Sequence, residues 1–301
     1  MTIFGSGEVV VRAPATSANL GPGFDALGLA LACYDEVRVR VVERGVTVVV
    51  AGEGADAASG DEGHLVARAM LAAFDALGAR PPGLSIRCVN AIPQARGLGS
   101  SSAAIISGLL AARALTVGGA DRHDDADLLD LAARMEGHPD NVAACLLGGV
   151  TIAWRASSPA RPRAFAARLT PVAGLAPTVF VPAERGLTAH ARAALPATVP
   201  HADAAFNAGR SALLSHALVS APELLFAATE DRLHQRRRAA EMPATAALVT
   251  RLRALGVAAV VSGAGPSVLA LSPPPEAFDP GPGWQARQLP VDGQGAQVAG
   301  P

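Results

Sequence analysis

The sequence predicts an α+β fold. Strand-like segments come first, neighbouring strands are spaced like hairpins, and no regular strand–helix–strand alternation of the kind that builds a doubly wound parallel sheet is present. The dinucleotide-binding GxGxxG pattern is missing too, since Gly97-Leu98-Gly99 has no third glycine behind it. With 301 residues, half of them apolar, the chain can form one large or two medium domains around a sizeable core.

Residues 8–13, 35–42, 46–51 and 84–90 read as strands, and Val37, Val39 and Val41 show the period of two outright. Between them, residues 64–77 set Leu65, Ala69, Ala72, Ala73 and Leu77 at helical spacing, with Gly78 placed to close the helix. An apolar helix over 103–115 and a second over 126–136 follow, and Gly148-Gly149 opens a strand over 150–154. The Pro/Arg/Ser-rich stretch 156–162 reads as a linker, which predicts domains over 1–158 and 159–301. The second domain starts with a strand over 178–181 and helices near 188–194, 202–219, 222–230 and 244–255. Short strands over 257–261 and 267–271 flank Ser262-Gly263-Ala264-Gly265-Pro266, and from about 272 a Pro/Gly-rich, irregular tail is expected.

Composition narrows the function. A net charge of −1 with scattered arginine leaves no electrostatic footprint for nucleic acid or a membrane surface. The run Arg236-Arg237-Arg238 stands beside Glu230, Asp231 and Glu241 and reads as a solvated helix face. Cys33, Cys88 and Cys145 are odd in number and form no CxxC pair, which suits free thiols in a reducing cytoplasm. No leader-like or membrane-spanning apolar run and no HExxH spacing occur, so a cytoplasmic protein without a dedicated transition-metal centre is expected.

The chemistry concentrates in PQARGLGSSSA, residues 93–103, which leads directly into the apolar helix. Gly97 and Gly99 permit a tight turn, and Ser100, Ser101 and Ser102 offer hydroxyls and N–H groups at an open helix N-terminus, where a phosphate is favoured. A Gly/Ser turn can also be a plain helix cap, but two further Gly-rich loops, at 14–31 and 262–271, favour a ligand site. The usual GxxxxGK[ST] cradle is excluded, because all 25 basic residues are arginine. A serine hydrolase built on the serine cluster lacks GxSxG.

SANLGPGFD in the first loop, GLGSS in the second, EGHPDN at 136–141 and SGAGPSVLAL at 262–271 together resemble the homoserine-kinase branch of the GHMP small-molecule kinases, over about residues 8–271. The resemblance implies the GHMP two-domain fold: an N-terminal domain whose mixed sheet carries the phosphate loop, and a ferredoxin-like α+β C-terminal domain. It implies ATP as phosphoryl donor, Mg²⁺, L-homoserine as acceptor in threonine biosynthesis, and a homodimer. Pro93, Arg96, Gly97, Leu98, Gly99, Ser100, Ser101, Ser102 and Ala103, with Gly263 and Gly265, are then the nucleotide-binding residues. Ser101 and Glu136 hold the metal, with Asp130 as a substitute carboxylate. Asn19, Asp25, His138, Asn141, Arg192 and Arg238 bind the acceptor, the two arginines taking its carboxylate. Asn141 stands where related kinases carry an aspartate base, so no strong general base is expected, and Asn141 and Ser101 are the catalytic candidates. Relatives acting on mevalonate, a sugar or shikimate are the nearest alternative.

Overall fold

The computed structural model describes residues 4–156, 163–186 and 194–299. Two sheets and their helices make up the molecule. The larger sheet has seven strands: β11 (Gln297–Ala299), β1 (Val9–Ala18), β2 (Leu27–Val41), β4 (Gly83–Asn90) and β3 (Gly45–Gly52) in that order, with β5 (Val150–Ala156) on β2 and β6 (Arg163–Leu169) on β5. Fifteen-residue β2 pairs through Leu27, Gly28 and Leu29 with β5 and through residues 36–41 with β4, so its two halves serve different neighbours. β3 and β4 are parallel, joined through α1 (Leu65–Leu77), while the other pairings of this sheet are antiparallel. The second sheet is antiparallel throughout, in the order β10 (Trp284–Gln288), β7 (Thr178–Pro182), β9 (Val268–Ala270) and β8 (Ala259–Val261).

α1 forms where apolar periodicity places it. Val66, Met70, Ala73, Phe74 and Leu77 are buried along one face, the His64 ring accepts Val66 N, and Gly78 closes the helix. α2 (Ser100–Leu115) lies on β1 and β2, flanked by α1, α4 (Asp125–Glu136) and α5 (Asp140–Leu147), with the one-turn α3 (Gly119–Arg122) between α2 and α4. Ile105, Ile106, Leu109 and Leu110 of α2 are buried, each side chain stabilising the fold by about 1.5–3 kcal/mol. The C-terminal half carries α6 (His201–Val219), α7 (Leu225–Ala228), α8 (Gln235–Arg238) and α9 (Pro243–Ala254). Among the described residues no helix is long and apolar enough to cross a membrane.

Several boundaries differ from those expected. β1 runs on to Ala18, absorbing Pro14 at a register shift instead of stopping at 13. α5 begins inside the HPDN segment, at Asp140, where the sequence pattern gave no helix. The tail is irregular over 272–283 as expected but not throughout: β10 joins the second sheet, while β11 returns to β1 and adds an edge to the first. Sheet membership does not change at residue 158 either, because β6 continues the first sheet beyond it. The helix expected near 188–194 lies largely outside the described residues.

Candidate active site

β1 ends where the first loop begins, and that loop is held in unusual backbone conformations. Asn19, Leu20 and Asp25 have φ of 67°, 48° and 55°. The Asn19 side chain fixes the turn from inside: its Oδ1 accepts Asp25 N (3.0 Å), while its Nδ2 donates to Gly263 O (2.8 Å) across the molecule. Gly263 N in turn donates to Ala18 O at 3.0 Å. The first and third Gly-rich loops are therefore laced together although 244 residues separate Asn19 from Gly263.

The second loop lies between them. Gly97 has φ of 72°, and a Cβ there would stand 2.2 Å from Ser262 O; at Gly99, φ 69°, it would stand 1.9 Å from Thr16 Oγ1. A side chain fits at neither position, which is why both are glycine. Ser262 Oγ sits 2.7 Å from Gly97 O and 2.8 Å from Ser17 Oγ, and Thr16 N donates to Leu98 O at 3.0 Å. The loop thereby delivers the N-terminus of sixteen-residue α2 to an open cleft with no side chain capping it. The first backbone N–H groups, together with the helix dipole, make that end an anion site.

One cleft of about 620 Å³ unites most of the predicted residues. Its lining takes in Pro93, Arg96, Gly97, Leu98, Gly99 and Ser100, with Ser101, Ala103 and Gly263. Asn19, Asp25, Glu136, His138, Asn141 and Arg238 line the same cleft. Ser102 and Gly265 are not in the lining: Ser102 is buried with its hydroxyl 3.2 Å from Glu136, and Gly265 packs behind the wall. Arg192 lies outside the described residues. Arg96 lines the cleft, but its guanidinium is committed elsewhere, donating to Pro182 O (2.8 Å), Gln94 O (3.0 Å) and Ala183 O (2.8 Å). It ties the phosphate-loop region to the end of β7.

The Ser101 hydroxyl is 2.6 Å from a Glu136 carboxylate oxygen, joining the first turn of α2 to the last residue of α4. Asp130 is turned away, its carboxylate accepting Ala164 N at 3.1 Å and pairing with Arg134. Among the described residues no group of three or more His, Cys, Asp or Glu side chains could hold a metal ion. One carboxylate and one hydroxyl suit a hard divalent ion that keeps waters and phosphate oxygens as its remaining ligands.

Asp140, Asp35 and His234 do work that the sequence patterns did not reveal. Asp140, buried in the first turn of α5, accepts Asn141 N (2.8 Å), and its carboxylate stands 2.7 Å from His138 Nδ1. Burial by itself lowers the imidazolium's pKa, but the Asp140 carboxylate outweighs it, helped by Glu136 and Asp25, and holds His138 above the ordinary histidine value. Asp35 sits beneath the phosphate loop, where its carboxylate accepts Ala91 N (2.8 Å) and Ile92 N (2.9 Å); desolvation pushes it up to about 6. His234 is fully buried, with Nε2 2.8 Å from Gly21 O and Nδ1 3.2 Å from Arg238 Nη1. That pairing requires the neutral ring, protonated on Nε2, and burial lowers its pKa accordingly. His234 thus fastens Arg238 to the first loop, and Phe24 lies 5.4 Å below the guanidinium.

Two family models match this chain: the GHMP kinases N-terminal domain over residues 64–149 and the GHMP kinases C-terminal model over 210–279. A homoserine kinase of Streptomyces avermitilis is 56% identical over 299 residues, covering 98% of this chain and 97% of that protein. A homoserine kinase of Mycobacterium tuberculosis is 49% identical, covering 86% and 82%. Among solved structures, homoserine kinase from Cytophaga hutchinsonii superposes with a TM-score of 0.82 at 27% identity, covering 97% of each chain. Mevalonate diphosphate decarboxylase from Staphylococcus aureus, at 16% identity and a TM-score of 0.65, shares the fold alone. This chain belongs to the homoserine kinases, within the GHMP kinases.

Proposed function

We propose that the protein transfers the γ-phosphoryl group of ATP to the side-chain hydroxyl of L-homoserine, giving O-phospho-L-homoserine and ADP on the route to threonine. The observation that carries this reading is the single cleft in which an uncapped helix N-terminus, the Ser101–Glu136 pair and the Asp25/Arg238 wall face one another. The α2 end takes the phosphates through its main-chain N–H groups, Ser100 and Ser101, with no lysine required. The cleft continues to a wall formed by Gly54, Ala57, Ser59, His64 and Asn90, which leaves room for the nucleoside. Ser101 and Glu136 would hold Mg²⁺, which would neutralise charge on the phosphate oxygens.

On the acceptor side, Asp25 faces the substrate ammonium and the planar fork of Arg238 faces its carboxylate, with Arg192 as second cation. Asn141 Oδ1 already accepts the Thr16 hydroxyl at 2.8 Å, so the amide nitrogen is the group left for the substrate. An amide cannot take a proton at neutral pH, and His138 is held toward its protonated form. These groups orient the hydroxyl and stabilise charge, and the proton leaves with the transferred phosphoryl group. Phosphoryl transfer tolerates such a site, because positioning and electrostatics supply most of the catalysis.

A coupled ADP-release assay with L-homoserine, L-serine, L-threonine and mevalonate tests the assignment, with turnover expected on L-homoserine above the other three. Asp25→Ala or Arg238→Ala raises the homoserine KM far more than the ATP KM. Equal effects on both substrates, or preference for mevalonate, overturn the acceptor assignment. Asn141→Ala lowers the rate by less than the roughly 10²–10⁴-fold typical of a true acid–base group.

A further inference from the structure

On the reverse side of the segment that carries Arg238 lies a second cleft, of about 630 Å³. Arg210, Arg232, Arg236 and Arg253 line it, against only Glu230 and Asp231. Both carboxylates are already engaged. Glu230 pairs with Arg210 at 2.8 Å. Asp231 is buried and accepts the main-chain N–H groups of Leu233 (2.8 Å), His234 (3.1 Å) and Gln235 (2.8 Å), anchoring the start of α8.

Apart from Arg210, the arginines are left with weak or neutral partners. Arg253 is half-buried, yet among the described residues it bonds only neutral oxygens, Thr229 Oγ1 at 2.9 Å, Phe226 O at 3.0 Å and Ala259 O at 3.4 Å, and burial pulls its pKa down. Arg232 comes no closer than 3.6 Å to Asp203. The Arg236 side chain makes no ion pair or hydrogen bond among the described residues. Phe206 stiffens the rim, with the guanidinium of Arg232 3.8 Å and that of Arg210 4.6 Å from its ring centre. The rest of the lining includes the apolar Met242, Ala246, Val249 and Val261. A cationic rim over apolar side chains matches an anion that has an apolar body, and the planar guanidinium fork matches a carboxylate.

We propose that this second cleft is a binding site for a small organic carboxylate with an apolar body, separate from the reaction site. The site shares one wall with the first cleft, because α8 presents Arg236 to the second and Arg238 to the first. It does not depend on which acceptor the enzyme phosphorylates.

Titration calorimetry with 4-phenylbutyrate and its neutral amide, 4-phenylbutyramide, tests the proposal on the full chain, with saturating ADP and L-homoserine occupying both halves of the first cleft. The acid is expected to bind saturably, and the amide at least about tenfold more weakly, the ratio that one charge-assisted pair supplies. Arg236→Glu is expected to weaken the acid by at least about tenfold and leave the amide, the melting temperature and the basal kcat unchanged. Ala246→Glu, which puts a negative charge among the apolar lining residues, is expected to abolish binding of the acid. No saturable binding up to about 10 mM, equal binding of acid and amide, or acid binding untouched by Arg236→Glu overturns the proposal.

Discussion

Asp35 and His138 both titrate above their ordinary values, and the sign of each has a consequence. For Asp35 the elevation, to about 6, reflects burial of a charge. The folded state binds this proton more tightly than the unfolded chain, so its contribution is greatest at low pH and is lost as pH rises through about 6. Asp35→Asn keeps an acceptor for Ala91 N and Ile92 N without the charge. Urea denaturation should therefore show wild type losing about 3 kcal/mol relative to this variant between pH 4 and 8. His138 is raised by an attractive partner, so its contribution is full below the unfolded histidine pKa and fades as pH climbs through the elevated folded value. Asp140→Asn should cost stability at pH 6 and progressively less toward pH 9, with the alkaline limb of the homoserine kcat/KM profile moving to lower pH. At the metal pair, Glu136→Gln should lower kcat by about 10²–10³-fold, as loss of a transition-state charge partner does, and raise the magnesium requirement; wild-type behaviour at limiting Mg²⁺ would place the metal elsewhere.

At the scale of elements, the phosphate end of α2 exists because two strands and two loops hold Gly97 and Gly99 in place. Gly97→Ala forces a Cβ within 2.2 Å of Ser262 O in a left-handed backbone conformation. The expected cost is about 1–3 kcal/mol or more, with a lower melting temperature and a higher ATP KM in the same variant. Much of this element was legible: PQARGLGSSSA announced the turn, although the helix begins at Ser100 and not at the expected 103, and α1 follows its apolar period to within a residue. α5 was not legible. Its eight residues have a mixed pattern behind His138-Pro139, and they become helical because Val142, Ala143, Cys145 and Leu146 are buried against the sheet and α2.

For the whole molecule, the tail is the least anticipated feature. Between β10 and β11, Asp292 accepts the Tyr34 hydroxyl (2.8 Å), Gln294 N (3.0 Å) and Gly295 N (2.6 Å), and β11 then pairs with β1. Pro and Gly content suggested irregularity, whereas β11 gains order by pairing with residues 285 to 289 positions away (Arg12↔Gln297 to Val10↔Ala299). Truncation after Leu289 should lower the unfolding free energy by about 3 kcal/mol or more, through loss of a buried hydrogen-bonded network; an unchanged denaturation midpoint would show the tail to be dispensable. The Arg96 guanidinium, bonded to Pro182 O and Ala183 O, similarly ties the phosphate-loop segment to the end of β7 in the second sheet.

Local chemistry determined what the sequence alone could say: the α+β class, the helix with the serine-rich start, the absence of a lysine cradle, and the residue types fit for phosphate, metal and amino-acid contacts. Those depend on periodicity and on groups close together in the chain. Tertiary structure decided which groups meet. Ser101 reaches Glu136 across 35 positions, Asn19 reaches Gly263 across 244, and His234 links Gly21 to Arg238. The Arg96 guanidinium, by contrast, is drawn off to main-chain carbonyls. Hydrogen bonds between distant residues leave no trace in spacing, because the chain that separates them is free to vary while their distance in the folded protein is not.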